Sequence, residues 1–163
     1  MGSKQKGFSL IELLIVVAVI LVIAAIAIPN LTRSRMAANE ASAVASLRSI
    51  NTSQVVYQNT YGPGFATKLA DLSDGGAASN CAPSVTPTAT ASCLIDATLA
   101  SGTKSGYTFL YTPVSTGATV ASYGANADPT TPGSTGQRHF FTDETNLIRV
   151  NATAVATNSD PAL

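Results

Sequence analysis

The hydrophobic positions of the chain follow two different patterns, and the first is an almost unbroken apolar run. It extends from Phe8 to Ile28, and Glu12 is its only charged residue. A helix of this length covers about 30 Å, the thickness of the hydrocarbon core of a bilayer. Lys4 and Lys6 precede the run, so the positive-inside rule keeps the N-terminus cytoplasmic. The pattern therefore predicts a membrane-spanning helix over 8–28.

After Pro29 the apolar positions return at helical spacing instead of in a run. They recur at three- and seven-residue steps: Val44, Leu47, Ile50 and Tyr57, with Val55 and Val56 between them. Charged and polar residues fall largely off this stripe: Arg33, Arg35, Asn39, Glu40 and Arg48. We expect 29–60 to be an amphipathic second half of one helix of about 50 residues, packed on a sheet. Pro29 either kinks this helix or ends the membrane span.

The remaining residues predict a connecting loop region and a sheet. Residues 61–104 are rich in turn-forming residues and contain Cys81 and Cys93. Strand patterns follow at Gly106–Val114, Ala118–Gly124 and Arg138–Val150, the last divided by a turn at 143–146. Residues 105–163 are therefore expected to form an antiparallel sheet of three or four strands with a polar C-terminal tail. The predicted fold class is α+β, with a long N-terminal helix packed through its second half on this sheet.

Charge and composition exclude some classes of function. Lys plus Arg equals Asp plus Glu, at nine each, and only 11% of residues are charged, against about 25% in ordinary soluble domains. No nucleic-acid partner is expected without a basic face. His139 is the single histidine, and no catalytic arrangement, metal site or cofactor motif is found. Asp128, Asp143 and Glu144 are calcium ligands by residue type, but their spacing matches no calcium-binding motif.

The two cysteines are expected to form a disulfide if the chain is exported. Cys81 and Cys93 flank a loop rich in Pro, Thr and Ser. In an oxidising compartment such a pair closes a bridge, whereas in the cytoplasm two free thiols are the alternative.

The N-terminal segment KGFSLIELLIVVAVILVIAAIAIPN resembles the processing motif of type IV pilins and of the pseudopilins of type II secretion systems. The shared features are a glycine, the bulky apolar residue that follows it, and a glutamate at the fifth position after that glycine. The resemblance implies that a prepilin peptidase cleaves between Gly7 and Phe8, removes residues 1–7 as a leader, and N-methylates Phe8. It also implies a kink at Pro29.

By the same resemblance, the chain is a structural subunit and not an enzyme. The precursor is held in the inner membrane, and its globular part after the membrane helix (the head) lies in the periplasm. Assembly machinery then builds it into a helical homo-oligomeric filament. The new amine of Phe8 would pair with Glu12 and set the register between helices, because a buried unpaired carboxylate is costly.

Several alternatives stay open at this level. The filament is either an extracellular pilus, serving adhesion, motility or DNA uptake, or the short periplasmic pseudopilus of a secretion system. The bridge of many pilins closes the C-terminal region, whereas here it would close a loop in mid-chain, which keeps the pseudopilin alternative open. A cleaved signal peptide, with Ala25–Ala27 as its cleavage site, is disfavoured because the apolar run is too long. A plain membrane anchor leaves Glu12 unexplained.

Overall fold

The computed structural model describes residues 8–163, so the predicted leader and Gly7 lie outside the described residues. One long helix, α1 (Leu10–Tyr61), begins close to the start of the described residues. The chain forms two compact units, one up to Arg35 and one comprising Met36–Leu163, and α1 contributes to both. The prediction of a single long helix is confirmed. It continues through Pro29, so proline does not end the helix, and a kink at this position stays a prediction.

The second unit contains one antiparallel sheet in which every strand neighbours the next in sequence. Its strands are β1 (Thr103–Lys104), β2 (Tyr107–Thr116), β3 (Thr119–Pro129), β4 (His139–Asp143) and β5 (Arg149–Asn151), in the order β1-β2-β3-β4-β5. The α+β class is confirmed, but the sheet has five strands where three or four were predicted. The additional strand is β1, which at two residues carries no detectable alternation, because a period of two needs about four residues to be seen.

The third strand is longer than its hydrophobic pattern indicated. The pattern predicted an end at Gly124, whereas β3 continues to Pro129. In this extension Ala125 and Ala127 are buried and their polar neighbours are partly exposed. The alternation is present, but alanine is too weakly hydrophobic to make it visible.

The connecting region holds more regular structure than a loop. It contains short 3₁₀ turns at Leu69–Leu72 and Ala78–Cys81 and a one-turn helix, α2 (Ala97–Ala100). The disulfide prediction is confirmed, with Cys81 and Cys93 joined at an S–S distance of 1.99 Å. Backbone N–H groups of residues 92–95 donate to carbonyls of residues 71–73. The segment that carries Cys93 is therefore tied to the first 3₁₀ turn.

The core of the second unit lies between α1 and the sheet. Its largest fully buried side chains come from every part of the unit: Leu47, Ile50, Leu72, Leu99, Tyr107 and Phe140. The predicted stripe positions Val44, Leu47, Ile50 and Tyr57 are all buried. Val55 and Val56 are instead 43% and 41% exposed. They follow Ile50 by five and six residues, which places them roughly 120–140° around the helix from it.

A buried polar network also joins α1 to the sheet. The Asn51 side-chain amide donates to Thr142 Oγ1 at 2.8 Å and accepts from the Tyr123 hydroxyl at 3.0 Å. One turn later, Gln54 Nε2 donates to the Tyr111 hydroxyl at 2.8 Å. Buried polar groups are costly unless they are paired, so these bonds hold one register of the helix on the sheet.

The polar C-terminal tail lies against the sheet through hydrogen bonds. The backbone N–H of Val150 donates to the Pro161 carbonyl at 3.0 Å, and that of Leu163 donates to the Ile148 carbonyl at 2.9 Å. Ala156 is 1% exposed, and its carbonyl accepts a 2.7 Å bond from Asn126 Nδ2 on β3. The tail therefore covers the β5 edge of the sheet without a disulfide.

Candidate functional site

The start of α1 places Glu12 in a capping arrangement. Ser9 precedes the first helical residue, and its backbone N–H donates to Glu12 Oε2 at 2.9 Å. The Ser9 carbonyl accepts the first helical bond, from Leu13 N at 3.3 Å. A serine followed three residues later by a glutamate is the capping-box sequence. Glu12 stood out in the sequence as a charge, whereas Ser9 was missed, although the S-x-x-E spacing before an apolar run could have found it.

The cap holds the Glu12 carboxylate at the positive end of the helix dipole. A carboxylate has two oxygens and about four acceptor positions, so the bond from Ser9 leaves room for a further donor. Phe8 comes directly before the cap and is 88% exposed. In this uncut chain Phe8 is still joined to residue 7, and the charged amine predicted as the partner of Glu12 does not exist.

Beyond the cap, the apolar run presents its side chains to the outside on all sides of the helix. From Leu10 to Ile28 its large hydrophobic residues range from 47% exposed at Val17 to 80% exposed at Leu10. Among the described residues, α1 is the one helix that is long and apolar enough to cross a membrane. Contiguous apolar surface of this extent marks a membrane or protein interaction site.

In the second unit, α1 is fastened to the loop before β4 by a buried carboxylate. Glu40 is 8% exposed. Its Oε2 accepts from Arg138 Nε at 2.8 Å, and its Oε1 accepts from the backbone N–H of Gln137 at 2.9 Å and of Arg138 at 3.2 Å. Burial alone would raise the pKa of Glu40, but these donors outweigh burial, and the pKa lies below its ordinary value.

The same loop is fitted closely to the sheet and to α1. The Tyr107 hydroxyl donates to the Arg138 carbonyl at 2.9 Å, and Asn39 Nδ2 donates to the Thr135 carbonyl at 2.8 Å. A Cβ added at Gly136 would lie 2.1 Å from the Tyr107 hydroxyl oxygen, so glycine is required for this approach. The helical pattern put Glu40 off the buried stripe, because nothing local indicates a partner nearly a hundred residues away.

Of the remaining candidates from the sequence, the structure brings His139 and Asp128 together. His139 Nδ1 lies 2.6 Å from Asp128 Oδ1, across the β3–β4 pairing. Asp143 Oδ1 instead accepts from the backbone N–H of Thr145, in the turn after β4. Within residues 8–163, no group of three or more His, Cys, Asp or Glu side chains is placed to hold a metal ion.

Fold and site together define a class of protein. One end of a single long helix is apolar on every side, and the other end is built into a compact α+β unit. Such a helix needs a membrane or other protein around its exposed end. The class is that of proteins anchored by an N-terminal apolar helix.

Comparison with known proteins narrows this class. Residues 2–28 match the family model described as the prokaryotic N-terminal methylation motif. The chain is 47% identical over 55 residues to the type IV wide pilus major component PilA4 of Thermus thermophilus, covering 34% of this chain and 42% of that protein. It is 42% identical over 53 residues to the type IV major pilin protein PilA of Myxococcus xanthus, covering 32% of this chain and 24% of that protein.

These matches confirm the resemblance to type IV pilins that the N-terminal residues carry. The chain spans less than half the length of either curated relative. No solved structure matches the chain.

Proposed function

We propose that the chain is the structural subunit of a type IV pilus, and that it polymerises through the first half of α1. The observation that carries the proposal is the exposed apolar run, which holds the capping Glu12 in its first helical turn. One relative is named as a major component of a type IV wide pilus and the other as a type IV major pilin, which favours an extracellular fibre over the pseudopilin alternative.

In this proposal the subunit exists first as a membrane precursor and then as part of a filament. The precursor spans the inner membrane with its N-terminus cytoplasmic and its second unit in the periplasm. Prepilin peptidase cuts between Gly7 and Phe8 and methylates the new amine. The apolar side chains of 8–28 then exchange lipid for the helices of neighbouring subunits, with pilus assembly machinery driving the exchange. Contacts of this head-to-tail kind do not close on themselves and generate a helical filament.

Glu12 sets the register of neighbouring subunits in this proposal. The cap from Ser9 fixes the carboxylate in the first turn, and its remaining acceptor positions receive the Phe8 amine of another copy. Charge pairing is strong in a low-dielectric surrounding, although desolvation offsets much of it. A subunit out of register leaves both charges unpaired, at a cost of about 3–5 kcal/mol for a buried pair.

A pair of substitutions separates the charge of Glu12 from its capping role. Glu12→Gln keeps an oxygen that accepts from the Ser9 N–H, since glutamine also serves in capping boxes, but it removes the charge. Glu12→Ala removes both. If the charge sets the register, both variants lose filaments to a similar degree, about a hundredfold or more by the cost above, measured as the amount of subunit in sheared surface fibres relative to the subunit that stays in the membrane. Filament yields near wild type for Glu12→Gln would overturn the register role.

Mass spectrometry and microscopy test the rest of the proposal. The mature chain is expected to begin with a methylated Phe8 and to carry the Cys81–Cys93 bridge. Electron microscopy is expected to show long surface fibres containing this subunit. Subunits found only in the periplasmic fraction of cells that lack surface fibres would favour the pseudopilin alternative instead.

A further inference from the structure

Two arginines follow the apolar run without an acidic partner. Between Glu12 and Glu40 the sequence contains no Asp or Glu. The Glu40 carboxylate already forms an ion pair with Arg138, whose Nε lies 2.8 Å from Glu40 Oε2. Arg33 and Arg35 are both exposed. None of the ion pairs formed among residues 8–163 includes either of them. Two positive charges therefore lie next to the span with no carboxylate to neutralise them.

The short polar side chains around these arginines form hydrogen bonds to the backbone of their own helix. Each donates a side-chain hydrogen bond to the carbonyl four residues earlier: Asn30 to Ile26 at 3.0 Å, Thr32 to Ile28 at 3.1 Å, and Ser34 to Asn30 at 3.0 Å. The hydroxyl donors of Thr32 and Ser34 are thus satisfied within the helix, and so is one of the two amide N–H donors of Asn30. The two guanidinium groups are the charged donors in this segment that are left to bind something outside it.

Helix geometry places both arginines at the level of lipid headgroups. Arg33 follows Ile28, the end of the apolar run, by about 7.5 Å along the axis, and Arg35 follows it by about 10.5 Å. The headgroup layer beyond the hydrocarbon core is about 5–8 Å thick on each side. Side chains on a helix tilt toward its N-terminus, which here means toward the bilayer. The long side chains therefore bring both guanidinium groups back to the depth of the phosphates.

We propose that Arg33 and Arg35 bind phospholipid phosphates of the leaflet at the C-terminal end of the span. This inference rests on the proposed function in one respect, namely that the subunit is held in a membrane before assembly. The planar guanidinium matches phosphate oxygens in a bidentate manner. The two arginines fix how deep the precursor lies in the bilayer before assembly. Their contacts with phosphate must break when the subunit leaves the bilayer for the filament.

Solid-state NMR of the full chain in phospholipid vesicles tests this directly. Arginine labelled with ¹³C at the guanidinium carbon is observed while ³¹P dephasing reports proximity to phosphate. Because two of the five arginines of the sequence contact phosphate in the proposal, roughly two fifths of the signal is expected to dephase. Arg33→Gln with Arg35→Gln is expected to abolish this dephasing. The matched control Arg48→Gln, at an exposed position of α1 in the second unit, is expected to keep it.

Carbonate extraction of the same vesicles shows whether the chain is inserted. A chain that is extracted from the bilayer would overturn both the membrane precursor and this inference. An inserted chain without dephasing, or with dephasing that persists in the double variant, would overturn this inference alone. If the double variant fails to insert, each single variant is expected to lose about half of the dephasing, since each retains one contact, and no loss in either contradicts the proposal. Equal dephasing in phosphorus-free detergent with inorganic phosphate would show free phosphate, not lipid, to be the ligand.

Discussion

The two halves of α1 share one secondary structure but differ in how their apolar side chains are covered. Leu14 in the first half is 61% exposed, whereas Leu47 in the second half is fully buried. From Phe8 to Ile28 every position except Ser9 and Glu12 is apolar, and within residues 8–35 no other part of the unit covers this run. From Met36 the apolar positions form a stripe, which the sheet covers. A helix that is apolar all round needs an outside partner, whereas a striped helix needs only a second layer of its own chain.

The largest expected effect comes from truncating one leucine in each half. Leu47→Ala is expected to lower the free energy of unfolding of the second unit by about 3–4 kcal/mol, because it leaves a cavity in a packed core. Leu14→Ala is expected to change it by less than about 0.5 kcal/mol. Urea unfolding in detergent, followed by tyrosine fluorescence, measures this unit selectively, since all tyrosines lie at or after Tyr57. Equal losses of unfolding free energy in the two variants would contradict the conclusion that only the second half of α1 is covered by its own chain.

Removing the disulfide is expected to act almost as strongly on the second unit and not at all on the first. The bridge joins residues separated by 12 positions, and closing a loop of this size stabilises by about 3 kcal/mol on the chain-entropy estimate. Cys81→Ser with Cys93→Ser is expected to lose that amount in the same urea experiment, with membrane insertion unchanged. Val85→Ala, at an exposed position inside the loop, is the control. A double variant as stable as this control would show that the loop is held by its hydrogen bonds alone.

A smaller effect is expected at Glu40, and it depends on pH. Its pKa in the folded chain lies below the ordinary value of 4.5. The unfolded chain therefore takes up the proton first as the pH falls. The stabilisation is complete above about pH 4.5 and is lost as the pH falls through the lower, folded pKa. Glu40→Gln is expected to cost about 2 kcal/mol at neutral pH, since it removes charge-assisted hydrogen bonds.

Urea unfolding from pH 7 to pH 3 measures this dependence. The difference between wild type and Glu40→Gln is expected to shrink as the pH falls below about 4.5, because the unfolded wild-type chain then takes up a proton at Glu40, which the variant cannot do. Glu144→Gln, at an exposed position in the turn after β4, is the control and is expected to follow wild type. A difference that stays constant with pH would show that Glu40 acts through packing and not through its charge.

The sequence was sufficient for features that depend on neighbouring residues. The apolar run with Glu12, the helical stripe from Val44 to Tyr57, and the cysteine pair each follow from local spacing, and the structure shows each of them. The Ser9–Glu12 cap belongs to this group as well, since its four-residue spacing is visible in the printed sequence.

Only the tertiary structure decided which polar residues the core requires. Glu40, Asn51 and Gln54 are polar positions on an otherwise ordinary helix, and their burial depends on partners in distant strands and loops. Likewise, β1 is too short to show a pattern, and it forms because β2 offers it a partner. Local spacing reports which face of an element is apolar. It carries no information on which distant donor will satisfy a buried carboxylate or amide, because that pairing exists only after the chain has folded.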